Sequence, residues 1–296
     1  MDQGQLKVRT YEHYEANVRR NIVPVVGHVP LSKLRPTHIE TVYDVAFKKG
    51  LSARSVLHIH RILFQSLKQA VKWQMIPRNP VESVESPTPS SHQVVTPDLS
   101  TVAALLQAVE GTDLRNPAVV ALGAGLRLGE VFGLTWASIF FEQGQLAVIQ
   151  TLQVSGILEK PKTSSSAAIV SLPDFVIDCL TRQKGQQAKR RILLGSAWND
   201  NDLVFDRGDG RPVDTRSISR RFSEQMKQAG IRLTFHGLRH AHASLMHASG
   251  SDMKTISENM RHSTISITAD LYTHLDIEAH RAASRRLQEH LGPVIG

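Results

Sequence analysis

The 296-residue sequence contains a single cysteine, Cys179. An internal disulfide and a cysteine-rich zinc site are therefore excluded, and nothing indicates an oxidising compartment. Long apolar runs are missing as well. The most hydrophobic stretch, residues 118–126, is about half of the roughly 20 residues that a bilayer span requires. The opening Met1-Asp2-Gln3-Gly4-Gln5 has no apolar segment and is not a secretory signal. Together these absences predict a soluble, cytoplasmic protein with no membrane partner.

Acid is scarce in the first part of the chain. Residues 1–80 carry 13 Lys and Arg against five Asp and Glu, which accounts for the whole net charge of +8. The remaining residues are balanced. With 41% hydrophobic and 21% charged residues, the chain can bury a core and is not disordered by composition. Its length suits one large domain or two smaller ones. A basic first segment beside a neutral remainder points to an acidic polymer as partner, nucleic acid above others. A basic but merely solvated surface is the alternative.

Apolar spacing predicts a helix over residues 10–23, stopped by Pro24, and a second opened by Pro36 and closed by Gly50. Ser52 caps a long third helix reaching to about Met75. On it Arg54, His58, Arg61, Gln65, Lys68 and Lys72 recur at steps of three and four, stacked on one face with no acid among them. Arg54, His58, Arg61, Lys68 and Lys72 are the candidate DNA-binding residues, with plain solvation of the face as the rival reading. The Ser/Pro/Thr-rich segment 83–97 reads as an interdomain linker between a helical domain over 1–82 and a second domain over 98–296. That second domain starts with a helix at Asp98 or Ser100, and residues 116–136 read as a further helix with a Gly-rich middle. Short strands are expected around Ile139/Phe141, residues 146–152 and 169–172, with turns at Gln143-Gly144 and 164–166. Helices resume at Asp174 and from Asp214 onward, ending in a helix over 276–291. The expected fold is mainly α with a small antiparallel β-sheet.

The histidines around His236, His240, His242 and His247 invite a metal reading. A zinc protease helix needs Glu directly after the first His, and Gly237 stands there. No spacing supplies a third ligand, so no metal is expected. What remains is a set of cations and one tyrosine: Arg127 within Gly125-Leu126-Arg127-Leu128-Gly129-Glu130, Lys162-Thr163, His236-Gly-Leu-Arg239-His240, and His262-Ser-Thr-Ile leading to Tyr272-Thr-His274. An Arg just after an apolar helical run is costly unless it is paired or meets an anion, and Glu130 is the natural structural partner of Arg127.

These four segments, in this order, resemble the tyrosine recombinase (phage integrase) family. The resemblance implies a helical core-binding domain followed by an α/β catalytic domain of the DNA breaking-rejoining fold. It implies Arg127, Lys162, His236, Arg239, His262 and Tyr272 as catalytic residues, with Glu130 as support. The implied activity is site-specific strand transfer on double-stranded DNA attachment sites, of integration or excision type, through a 3′-phosphotyrosine and without cofactor. It further implies a homotetramer on DNA, with accessory DNA-bending or directionality proteins and a location at the bacterial nucleoid. One departure stands out: Arg261 precedes His262 where the family has Gly, which could disturb the turn or add a phosphate contact. Ala124 stands where Thr is common. The lead-in to the first helix is short for the family and no arm-binding domain precedes it, so a minimal and a truncated form both fit. Two other readings stay open: topoisomerase IB-like relaxation by the same residues, and a catalytically impaired DNA-binding regulator.

Overall fold

The computed structural model describes residues 8–89, 97–159 and 169–261. The chain divides into two compact units between Gln93 and Val94. Among the described residues no helix is long and apolar enough to cross a membrane.

The first unit is helical. Helix α1 (Val8–Asn17) runs into a π-helical turn (Val18–Ile22) and a short α2 (Val23–Val26), with Pro24 in the first turn of α2. Pro24 therefore does not stop the helix as expected. The wider turn changes the hydrogen-bond register just before it, so the missing proline N–H falls at a helix start, where it is tolerated. Helix α3 (Pro36–Lys48) opens on Pro36, with the Arg35 N–H donating to Nδ1 of His38 at 3.0 Å. Helix α4 (Ala53–Lys72) is capped by the Ser52 hydroxyl, which accepts from the Ser55 N–H. Its buried stripe of Val56, Ile59, Leu63 and Leu67 packs on Ile39, Val42 and Ala46 of α3. Val81 and Val84 are buried in the same core, so this unit extends through the start of the Ser/Pro-rich segment.

In the second unit, Asp98 caps α5 (Leu99–Ala108) by accepting from the Thr101 N–H at 2.8 Å. Helix α6 (Arg115–Ala124) is almost wholly buried and ends at Gly125, followed by the one-turn helix α7 (Leu128–Val131). The continuous helix expected over 116–136 is thus broken. Gly125 lies at φ +62, and a Cβ there would come within 2.6 Å of the His242 ring. Strands β1 (Ile139–Phe140), β2 (Gln145–Ala147) and β5 (Ile169–Ser171) form an antiparallel sheet in the order β1-β2-β5. Its register pairs Ile139 with Leu146 and Leu146 with Val170. A second hairpin joins β3 (Thr151–Leu152) to β4 (Leu158–Glu159), a strand the sequence reading missed. Helices α8 (Asp174–Leu194), α9 (Thr215–Gln228), α10 (Phe235–Ala248) and α11 (Met253–Asn259) complete the described part. The core centres on Phe132, Phe205, Phe222 and Phe235, with α6 lying against α8 and α10. Cys179 is buried in α8, its thiol 3.4 Å from Asn116 Oδ1, and burial pushes its pKa up.

Candidate active site

The site is built where α6, α7, α10 and α11 meet. Because Gly125 takes the left-handed conformation, the chain turns out of α6 and presents Arg127 at the start of α7. Glu130, three residues on, closes that turn from below. Its Oε2 accepts the Arg127 backbone N–H at 2.9 Å, and its Oε1 accepts Arg127 Nη1 at 2.8 Å. The Glu130 side chain is 8% exposed and that of Arg127 43%, so the carboxylate is the buried anchor and the guanidinium the accessible head. Helix α7 is pressed onto the β3–β4 hairpin. A Cβ on Gly129 would fall 2.7 Å from both the Leu152 carbonyl and Thr151 Cγ2, and just past the helix Gln150 Nε2 donates to the Gly133 carbonyl at 2.9 Å.

Thr234 caps α10 by accepting from the Gly237 N–H, and the first turns of that helix carry His236 and Arg239. Arg239 is 1% exposed. Its Nη1 donates to the Gly125 carbonyl at 2.5 Å, while Nη2 is buried with no hydrogen-bond partner among the described residues. Burial, then the Arg127 and Arg261 charges against the opposing pull of Glu130, lower the Arg239 pKa to about 9. It remains a cation at neutral pH, held at a cost that an anion would relieve. His236 is accessible. Desolvation among its packed neighbours, then Arg239 and Arg127, lower its pKa, which leaves a neutral imidazole at pH 7. The His240 ring stands 4.8 Å from that of His236, and burial followed by the two neighbouring groups His236 and Arg239 lowers its pKa to about 4.

His242 is a tie between elements. Its Nδ1 lies 2.8 Å from the Leu122 carbonyl in α6 and its Nε2 3.0 Å from the Asn259 side-chain amide in α11. Burial lowers its pKa. Nδ1–H donates to the carbonyl of α6, and Nε2 faces Asn259 Oδ1 of α11. Beyond α11, Arg261 returns to the site with its side chain 3% exposed and its Nη2 2.7 Å from Glu130 Oε2. Burial alone would raise the Glu130 carboxyl. The Arg261 charge, then the Arg127 N–H and guanidinium, outweigh it and hold that carboxyl below the usual carboxylate range.

Of the residues expected from sequence, Arg127, His236, Arg239 and Glu130 come together here. Lys162, His262, Tyr272, the turn at 164–166 and the helix over 276–291 lie outside the described residues. His242, Asn259 and the pairing of Arg261 with Glu130 were not foreseen, since their partners are far off in sequence. Among the described residues no group of three or more His, Cys, Asp and Glu is arranged to hold a metal ion. In the first unit Arg54, Arg61, Lys68 and Lys72 are exposed along α4, and among the described residues none of them forms an ion pair. His58 is half-buried, its ring 4.8 Å from that of His13.

Comparison with known proteins gives this arrangement its context. Residues 98–279 match the model of the phage integrase family, and residues 2–44 that of the phage integrase N-terminal SAM-like domain. The chain is 27% identical to a XerC-like tyrosine recombinase of Caldanaerobacter subterraneus subsp. tengcongensis, covering 91% of this chain and 75% of that protein. It is 29% identical to an integrase of Streptomyces ambofaciens, over 89% and 71%. The Tn1549 transposon integrase in complex with a circular intermediate DNA shares the fold, with a TM-score of 0.80 at 20% identity over 96% and 95% of the two chains. A lambda integrase dimer bound to a core site gives 0.69 at 20% identity over 91% and 90%. The chain belongs to the phage integrase family of tyrosine-type site-specific DNA recombinases.

Proposed function

We propose that this recombinase cleaves and rejoins duplex DNA through Tyr272, with a 3′-phosphotyrosine intermediate and no metal or cofactor. The observation that carries the reading is the Arg239 guanidinium. It is buried, locked by the Gly125 carbonyl, and its Nη2 has no hydrogen-bond partner among the described residues, beside the accessible Arg127. A phosphodiester repels nucleophiles by its negative charge, and cations fixed in a desolvated site lower that barrier. Arg127 and Arg239 take the non-bridging oxygens of the scissile phosphate, as planar guanidinium groups do well. His262 adds a donor to one of those oxygens. The Tyr272 oxygen attacks phosphorus while its proton passes to His236, whose neutral state suits a base. The bond to the 5′ oxygen breaks, and Lys162 supplies the proton that oxygen needs. The phosphotyrosine keeps the bond energy, so a 5′-hydroxyl of another strand reverses the step without ATP.

The exposed cations of α4 (Arg54, Arg61, Lys68 and Lys72), with His58, contact DNA phosphates in this reading. Residues 276–291 dock on a neighbouring subunit and close a homotetramer around two attachment sites in the bacterial nucleoid. Accessory bending or directionality proteins would set which reaction runs.

The test is a covalent trap. Duplexes selected from a random pool by binding to the wild-type chain are nicked, incubated in EDTA, and run on a denaturing gel beside the Tyr272→Phe variant. A slow covalent band in wild type alone is the expected result. Loss of the band in EDTA overturns the metal-free chemistry. Binding without any band favours the impaired regulator, and relaxation of supercoils by a monomer without strand exchange favours the topoisomerase reading.

A further inference from the structure

Arg261 combines two features that oppose each other. Its backbone lies at φ +51, a conformation disfavoured for any residue with a Cβ and free for glycine. Its side chain is nonetheless folded inward and 3% exposed, with Nη2 on Glu130 Oε2 at 2.7 Å, Nη1 3.4 Å from the Asn259 carbonyl, and a buried Nε without a partner among the described residues. A guanidinium so placed cannot reach a DNA strand. Its effect must pass through the carboxylate that it shares with Arg127.

That carboxylate has two oxygens. Oε1 takes Arg127 Nη1, and Oε2 takes both the Arg127 N–H and Arg261 Nη2. A carboxylate and a guanidinium left to themselves favour two parallel hydrogen bonds, fork to fork. Arg261 and the backbone N–H fill Oε2 and prevent this, so Arg127 is held at one edge while its head stays accessible. The charges agree. With Arg261, three guanidinium groups surround one buried carboxylate and the site carries an excess of positive charge. Without it, Glu130 would draw Arg127 and Arg239 more strongly to itself.

We propose that Arg261 is a positioning residue for strand cleavage: by occupying Glu130 Oε2 it limits Glu130 to a single side-chain contact with Arg127 and frees that guanidinium for the scissile phosphate. The proposal rests on the phosphoryl-transfer reading of the site above. It differs from a purely conformational role, in which the residue only completes the turn before position 262. The two roles order the variants oppositely. Glycine relieves the backbone at φ +51 and removes the charge, whereas lysine keeps both the strain and the charge.

The experiment measures single-turnover formation of the covalent complex on the selected nicked duplex, together with non-covalent affinity for the intact duplex and urea unfolding. The proteins are wild type, Arg261→Lys, Arg261→Gly, Glu130→Gln and the double variant Glu130→Gln/Arg261→Gly. Glutamine can still accept the Arg127 N–H, so the α7 cap survives. The expected cleavage order is Arg, then Lys, then Gly. The glycine variant should be slower by about 10-fold, as for one well-placed charge-assisted hydrogen bond, with duplex affinity held, while urea unfolding reads separately what the lost ion pair with Glu130 costs the fold. The double variant should cleave no more slowly than Glu130→Gln alone, because no carboxylate is left to claim Arg127. Cleavage by Arg261→Gly at the wild-type rate or faster overturns the proposal. So does a double variant whose loss is the product of the two single losses. A wild type that forms no covalent complex overturns the reading of the site itself, and the proposal with it.

Discussion

Gly125 shows how a single residue sets the site. Its left-handed conformation ends α6, its carbonyl holds Arg239, and the space where a Cβ would stand is filled by the His242 ring. Gly125→Ala therefore meets two penalties, a disfavoured φ and a clash with a side chain fixed at both nitrogens. We expect a loss of about 2–4 kcal/mol in urea unfolding, and cleavage reduced further than stability because the Arg239 anchor shifts. An unchanged unfolding midpoint would show that the turn is not held by His242. The same residue explains one failure of sequence reading. Four glycines fall within residues 116–136, and nothing local singles out Gly125 among them, since the His242 ring that fills the space beside it belongs to α10. Arg127, His236 and Arg239 were legible because each sits in a short motif. The partnership of Arg261 with Glu130 was not, because the two are joined only by the fold.

At the scale of elements, α10 brings three histidines into a crowded, cationic neighbourhood. Burial first, then the adjoining charges, lower the pKa of His236, His240 and His242, that of His240 to about 4. An imidazole whose folded pKa lies below its unfolded value of 6.5 favours the folded state fully above that pH. The contribution is then lost as the pH falls towards the folded pKa. Stability should therefore drop between pH 6.5 and 4, and His240 alone contributes up to about 2 kcal/mol of that loss at pH 5. Urea unfolding at pH 7 and pH 5 measures it, and His240→Gln should make the pH dependence shallower. An equally steep loss in that variant would assign the effect elsewhere, for instance to His58 and His60 of α4, whose pKa values burial and Arg61 also lower. Helix α4 itself was readable from the Ser52 cap and the apolar stripe, whereas the two-residue strand β4 is too short to show any period. Its basic face makes a separate prediction. Replacing Lys68 and Lys72 by Gln should weaken binding to any duplex and flatten the slope of log affinity against log salt by about 2. A slope unchanged from wild type would return these residues to plain solvation.

For the whole molecule, the fold class followed from helix signals in the first unit and from the change to short strands after residue 138. Pro24 misled because a π-turn absorbed it. In the proposed chemistry a phosphotyrosine with a free 5′-hydroxyl beside it can only reseal, so a single chain would stop at cleavage and resealing. Exchange requires a second active chain holding a second duplex. The proposed docking of residues 276–291 on a neighbour supplies that link, with Ala279, Ala282, Ala283 and Leu287 as its apolar positions. Native mass measurement of the complex with the selected duplex tests the idea, comparing the full chain with one ending at residue 275 and with Leu287→Asp. The full chain should give four protomers on two duplexes. Both variants should stop at smaller complexes while still forming the covalent band, because every residue proposed as catalytic precedes residue 276. Equal assembly by the truncated chain would mean that the last segment packs within its own subunit and that the tetramer, if formed, is held by other surfaces. A truncated chain that assembles poorly and also fails to cleave would instead tie Tyr272 to the neighbour's segment, making cleavage conditional on assembly.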